Sequence, residues 1–246
     1  MSLKQALKKT ARSTARTFGF DLVAADHLTQ GSSRRAKMMN YNDIRTVIDV
    51  GANRGDYAGE LRESGFQGRI ISFEPVASAF QLTSARAAAD PSWEAFNFAV
   101  GATPGTLEIN VASHTAGSSS LLPMLQTHQD NAPDIHYVGK QKIEVVTLDN
   151  ALAGKLDTAG PLLLKVDTQG YEAQVLRGAS TILPHVRLIE CELSFVPLYE
   201  GQPTFKQMME LIDSLGFEPV NFEPGFVAAD SGYCLQLDGL FARKQA

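Results

Sequence analysis

The sequence predicts an α/β fold in which a mostly parallel sheet is covered by helices on both faces. Three observations carry this reading. Strand-like and helix-like segments alternate from Arg45 onward; Pro161-Leu162-Leu163-Leu164-Lys165-Val166-Asp167 is the near-continuous apolar run of a central, doubly buried strand; and the acids Asp49, Glu74 and Asp167 close three strand candidates. Crossovers between parallel strands place helices on the sheet faces, and ligands of such sheets sit beyond the carboxyl ends of the strands.

The strand candidates are 45 to 50, 69 to 74, 94 to 98, 161 to 167, 186 to 193, 218 to 222 and 235 to 242, and helical patterns fill 55 to 64, 76 to 89, 172 to 183 and 204 to 215. Residues 101 to 150 interrupt the rhythm. Within them 106 to 111 and 142 to 146 alternate in strand fashion, and between those runs lie Ser118-Ser119-Ser120, Pro123, Pro133, His114, His128, His136 and Tyr137. Long excursions inside a compact domain tend to be functional, so this one is expected to cover a substrate.

Val47-Ile48-Asp49-Val50-Gly51-Ala52-Asn53-Arg54-Gly55 reads as a strand entering a turn with glycine at both ends, and Phe73-Glu74-Pro75 ends the next strand in an acid. Glycine lets backbone approach a bound molecule, and an acid at the second strand end is where a doubly wound sheet grips the two hydroxyls of a ribose. The ligand expected is an adenosine compound. A dinucleotide site needs Gly-x-Gly-x-x-Gly, which this turn does not provide, and no Gly-Lys-Ser/Thr phosphate loop is present. The looser turn suits a ligand without phosphate, of which S-adenosylmethionine (SAM) is the common one.

An apolar content of 44% with 20% charged residues describes a soluble globular protein of 246 residues, read as a domain over 41 to 246 with a small appendage over 1 to 40. No apolar run reaches the length of a membrane span, and the N-terminus lacks a signal-peptide core, which predicts a cytoplasmic protein. Cys191 and Cys234 fit neither a disulfide framework nor a metal-ligand spacing. The net charge of −5 gives no general case for nucleic acid. The appendage is basic, with Lys4, Lys8, Lys9, Arg12, Arg16, Arg34, Arg35 and Lys37, and Leu3, Ala6, Leu7 and Ala11 recur at helical spacing. It is either a solvated helix or a peripheral contact to an anionic surface.

Several segments together resemble the FkbM-type family of SAM-dependent methyltransferases. They are Ile48 to Gly55, Phe73-Glu74-Pro75, Thr147-Leu148-Asp149, Leu164-Lys165-Val166-Asp167-Thr168-Gln169-Gly170-Tyr171-Glu172, Val175-Leu176-Arg177-Gly178-Ala179, Ile189-Glu190-Cys191-Glu192, Leu198-Tyr199-Glu200-Gly201-Gln202 and Leu235 to Phe241. One departure is Gln169, where the family often has glutamate. The resemblance implies a Rossmann-like class I methyltransferase fold, seven-stranded and mostly parallel with the last strand antiparallel. It also implies methyl transfer to a hydroxyl of a sugar, glycan or other small natural product. Asp49, Gly51, Ala52 and Asn53, in the turn closed by Gly55, would hold the amino acid part of SAM. Glu74, followed by Pro75, would hold the ribose; Ala99 and Val100 would flank the adenine; Ser119 would add a contact; and Asp167 would close the methionine end.

An alcohol is a poor nucleophile at neutral pH and needs a general base or a metal. Asp167, Glu192 and His136 are the catalytic candidates. Period-two alternation puts Glu190 and Glu192 on one side of their strand, so that with Asp167 they form either an oxygen-rich site for Mg²⁺ or a set of acids that position substrate hydroxyls. Tyr199 and Glu200 are the expected acceptor contacts at the mouth of the site. Glu172, one turn into its helix, is expected to satisfy free amide hydrogens. The competing functions are methylation of RNA or protein, and SAM binding without catalysis.

Overall fold

The structure, a computed structural model, describes residues 3–20, 31–113, 117–156 and 160–244. The chain runs α1 (Leu3–Thr17), α2 (Gly31–Tyr41), β1 (Thr46–Val50), α3 (Asp56–Glu63), β2 (Arg69–Phe73), α4 (Ala77–Ala87), β3 (Trp93–Phe96), β4 (Ala99–Val100) and β5 (Gly105–Ala112). It continues through α5 (Gln126–Asn131), β6 (Tyr137–Val146), α6 (Leu148–Ala151), β7 (Leu162–Val166), α7 (Glu172–Arg177), β8 (Val186–Ser194), α8 (Phe205–Ser214), β9 (Phe217–Pro224) and β10 (Gln236–Arg243). Among the described residues no helix is long and apolar enough to cross a membrane.

Seven strands form one sheet in the order β3-β2-β1-β7-β8-β10-β9. β1, β2, β3, β7 and β8 pair in parallel, and β10 runs antiparallel to both its neighbours. This is the expected class I arrangement. β1 and β7 lie at its centre, and all five residues of β7 are buried, as its unbroken apolar run requires. One face packs Ile48, Leu164, Val166 and Ile189 against α6, α7 and α8. The other packs Val47, Leu163 and Leu188 against Met39 of α2 and Ala58 and Leu61 of α3.

The excursion, together with β4 just before it, forms a second sheet in the order β4-β6-β5. Its strands are longer than the alternation alone indicated, because β5 and β6 pair as a hairpin from Gly105↔Val145 to Ala112↔Tyr137. The helix expected over 172 to 183 stops at Arg177. There Asp149 accepts hydrogen bonds from the Ser180 hydroxyl and from the Thr181 hydroxyl and N–H, drawing the chain out of the helix, and Pro184 cannot resume it. α8 starts at its predicted place because Thr204 and Gln207 close a capping box.

Gly178 closes α7 against the Gly101 loop, and a Cβ there would lie 2.1 Å from the Gly101 carbonyl oxygen. Gly178→Ala must therefore separate α7 from the β4–β5 connection. A loss of about 2–4 kcal/mol is expected from the urea unfolding midpoint at unchanged m-value.

Candidate functional site

The β1 turn is held by hydrogen bonds from both backbone and side chains. The N–H groups of Gly51 and Ala52 both donate to the Phe73 carbonyl, at 3.0 Å each, which ties the turn to the end of β2. Gly51 has φ +84, and a Cβ on it would lie 1.8 Å from the Asp167 carbonyl oxygen. Glycine is required there twice, for its φ and for the close approach of β7. Asn53 also takes positive φ, at 48°, and the Thr83 hydroxyl of α4 donates to its carbonyl. Asn adopts this region more readily than most residues.

Glu74 is 6% exposed, and its two oxygens accept from the N–H groups of Asn53 and Val76, at 2.8 Å each. Burial pushes its carboxyl up to about 7, against the two N–H donors that favour the anion. A carboxylate accepts about four hydrogen bonds, so the carboxylate keeps capacity for two hydroxyl donors. Asn97 fixes the strand end by donating to the Glu74 and Pro75 carbonyls, at 2.8 and 3.1 Å.

A cleft of about 610 Å³ opens over this turn. Gly51, Asn53, Glu74 and Asp167 line one side, and Pro75, Val76, Ala99, Val100, Ile109 and Leu121 form an apolar wall, with Ser119 and Tyr171 at its border. The donor set fits SAM: a carboxylate for the ribose and a flat apolar wall for the base. Asn53 adds a buried Oδ1 with no hydrogen-bond partner among the described residues, suited to the ammonium of the amino acid part.

The face of the sheet under α2 and α3 changes character along the strands. The apolar row Val47, Leu163 and Leu188 is followed two residues on by Asp49, Lys165 and Glu190, which are register neighbours. Beyond these come Asp167 and Glu192, the latter facing Asp238 of β10. The buried Lys165 ammonium lies 3.4 Å from both Asp49 and Asp167, and 5.3 Å from the centre of the Tyr57 ring. Burial disfavours its charge, but Asp167, Asp49, Glu190 and Asp238 outweigh that and keep it protonated well above the ordinary lysine range. A second cleft, of about 680 Å³, opens here. It shares Gly51, Asn53 and Asp167 with the first and is otherwise bounded by Arg35, Tyr57, Lys165, Glu190 and Asp238, with Ala52, Asp56 and Glu60 at its edge.

The predicted residues divide accordingly. Gly51, Asn53, Glu74, Pro75, Ala99, Val100, Ser119 and Asp167 meet around the first cleft, whereas Asp49 is fully buried beneath it and Ala52 faces the second. Gly55 lies outside both, because it packs on Trp93, where a Cβ would come within 2.8 Å of the ring. Asp167, Glu190 and Glu192 do not converge as a metal site: among the described residues no group of acids, cysteines and histidines is placed to hold a metal. Glu190 instead receives Arg35 through both Nε and Nη2, at 2.8 Å each, and the Tyr57 hydroxyl at 2.8 Å. Glu192 Oε2 receives the side-chain amides of Gln169 and Gln236, at 2.8 and 2.9 Å.

His136 is exposed and borders neither cleft, and His114 lies outside the described residues. Tyr199 is not at a mouth but fully buried, its hydroxyl donating to Gln169 Oε1 at 2.7 Å. Glu200 is exposed and ties its N–H to Pro123. Glu172 folds back as expected, accepting from the Thr168 and Gly170 N–H groups at 2.9 and 3.0 Å. Sequence reasoning missed Arg35, Tyr57, Lys165 and Asp238. Only the polar lysine inside the apolar β7 run offered a signal.

The family model described as the methyltransferase FkbM domain matches residues 49–219. A methyltransferase named sdnD from Sordaria araneosa is 24% identical over 193 residues, covering 70% of this chain and 73% of that protein. The crystal structure of an FkbM methyltransferase from Methylobacillus flagellatus is 14% identical with a TM-score of 0.46, covering 80% of this chain and 44% of that one. This chain thus spans under half the length of that relative. A magnesium protoporphyrin IX methyltransferase from Synechocystis, solved with SAM bound, is 10% identical with a TM-score of 0.45, covering 99% and 98%. With the family model covering well over half of a chain whose sheet order and strand-end acids are those described above, the protein belongs to the FkbM family of SAM-dependent methyltransferases.

Proposed function

We propose that the protein transfers a methyl group from SAM to a hydroxyl of a small, sugar-like acceptor. The observation that carries this reading is the chemistry on the open side of the first turn. There five carboxylates, Asp56, Glu60, Asp167, Glu190 and Asp238, stand against the cations Arg35 and Lys165. Such a wall accepts hydrogen bonds from hydroxyls and repels a polyanion, which weighs against an RNA acceptor.

In this reading Glu74 receives the ribose hydroxyls, Ala99 and Val100 flank the adenine, and Asn53 Oδ1 and Asp167 face the amino acid end. Bound SAM supplies a methyl group already made electrophilic by its sulfonium. The chain supplies alignment, exclusion of water and an acceptor for the hydroxyl proton. Gln169 Nε2 donates to Asp167 Oδ1 at 2.8 Å, and Lys165 faces Asp167 Oδ2 at 3.4 Å, so Asp167 is oriented from both sides.

Incubation of the protein with SAM and a panel of glycosides, sugar nucleotides, polyols, total RNA and a basic protein tests the acceptor class. Methyl ether formation on a sugar or polyol hydroxyl is the expected product by mass spectrometry. Methylation confined to RNA or protein refutes the reading, and so does SAM binding with no methyl transfer across the panel.

The ribose contact predicts a pH dependence of cofactor binding. Hydroxyl donors favour the ionised form of Glu74, so binding lowers its pKa and releases the proton that the free protein holds below about 7. Affinity for S-adenosylhomocysteine is expected to be level above that pH and to fall by up to about tenfold per unit below it. Calorimetry in buffers of different ionisation enthalpy reads the released proton directly. Glu74→Gln should weaken binding by about 1.5–3 kcal/mol and flatten the profile.

A further inference from the structure

We infer that the second cleft seats the methyl acceptor and that Asp238 takes the proton of the hydroxyl being methylated. The inference rests on the O-methyl transfer reading above and deepens it. The cleft meets the cofactor cleft along Gly51, Asn53 and Asp167, so an acceptor seated there abuts the end of the cofactor site opposite the Ala99 and Val100 wall.

The carboxylates around this junction differ in what already engages them. Glu190 is held by Arg35 on two nitrogens and by the Tyr57 hydroxyl. Asp167 takes the Gln169 amide on one oxygen and faces Lys165 with the other. Glu192 takes two amide donors on one oxygen, and burial, followed by the charge of Asp167, holds its carboxyl well above the usual range. Asp238 lines the cleft, and among the described residues no donor makes a hydrogen bond to its carboxylate. It faces Asp167 of the β7 end, Glu190 and Glu192 of β8, Lys165 of β7 and Arg35 of α2. Burial, then Asp167 and Glu190, push its carboxyl up to about 6, against Lys165 and Arg35. A base of that strength is ionised at neutral pH and is better matched to an alcohol proton than an unperturbed aspartate.

The proton of the acceptor O–H passes to an Asp238 oxygen as a lone pair of the acceptor oxygen forms the new C–O bond. The S–C bond breaks with its electron pair left on sulfur. The sulfonium charge and the carboxylate charge disappear together, and the proton is later lost to solvent through the open cleft. Lys165 and Arg35, whose donors face the same space, are placed to hold neighbouring hydroxyls of a polyol, the acceptor class this lining selects.

The test compares the wild type with Asp238→Asn on the hydroxyl acceptor that the wild type methylates fastest in the panel above, with S-adenosylhomocysteine affinity as the check of fold and cofactor site. The expected result is a fall in kcat of about a hundredfold or more with cofactor affinity within about twofold, and loss of the acid limb near pH 6 from the kcat profile. A fall in kcat of less than about tenfold overturns the inference while leaving the O-methyl transfer reading intact. Failure of the wild type to methylate any hydroxyl is the separate failure of that reading. A crystal of the wild type with S-adenosylhomocysteine and methyl glucoside gives an answer independent of the variant. A sugar hydroxyl within hydrogen-bond reach of Asp238 supports the assignment. Glycoside bound only outside the cleft, or not bound at all, overturns it.

Discussion

The buried Lys165 ammonium is the interaction on which the rest of the site depends. It sits in the central strand, where every neighbour in sequence is apolar, and its charge is tolerated because Asp49 and Asp167 approach it from the adjacent strand and from its own strand end. Removing one member of such a buried set leaves the others uncompensated, at a cost of about 3–5 kcal/mol. The cluster also spans the two halves of the site. Asp49 holds the root of the first turn through Ser72, which is itself anchored by the Trp93 indole at 2.9 Å, and Asp167 stands between the two clefts. The electrostatic balance of the sheet and the placement of the reacting groups are therefore one arrangement.

The N-terminal segment belongs to that balance. α2 lies across the same face, with Arg34 paired to Glu223 on the edge strand β9 and Arg35 paired to Glu190 near the sheet centre. Its Met39 is buried against the core of the domain. Read as composition, Arg34 and Arg35 were two more charges in a basic stretch. In three dimensions each has a designated carboxylate, and Arg35 also lies over the Tyr57 ring at 4.7 Å. The basic character of residues 31–41 thus reflects the acids of the sheet beneath them.

How far the sequence could be read follows from how each residue is positioned. Glu74 was legible because parallel strands joined by one helix fix the relation between a turn and the next strand end, and Gly51 does bond back to Phe73. The pairing of Glu190 with Glu192 on one face was legible from strand periodicity. What they contact was not, since Arg35 arrives from a helix more than a hundred residues away. Asp238 was hidden for a related reason. Its strand runs antiparallel, so the residue at the strand's beginning, not its end, reaches the carboxyl edge of the sheet, opposite Glu192. Tyr199 was misplaced because a loop tyrosine beside glutamate and glycine reads as exposed, whereas its ring packs 5.5 Å from buried His128 and its hydroxyl is taken by Gln169.

Gln169 shows why a single departure from a family pattern matters physically. It holds φ at 56°, and its side-chain amide is fully used: Nε2 donates to Asp167 and Glu192, and Oε1 accepts from Tyr199. A glutamate in the same rotamer could still accept from Tyr199 but would have no hydrogen for either acid unless it were protonated. It would bring a third carboxyl within hydrogen-bond distance of two others in a buried space, where like charges cannot all ionise. The amide puts a neutral donor in place of that third acid. Asp167 is left with one neutral donor and one cation as its fixed partners, and Asp238, on the far side of the cleft, has no amide to hold it.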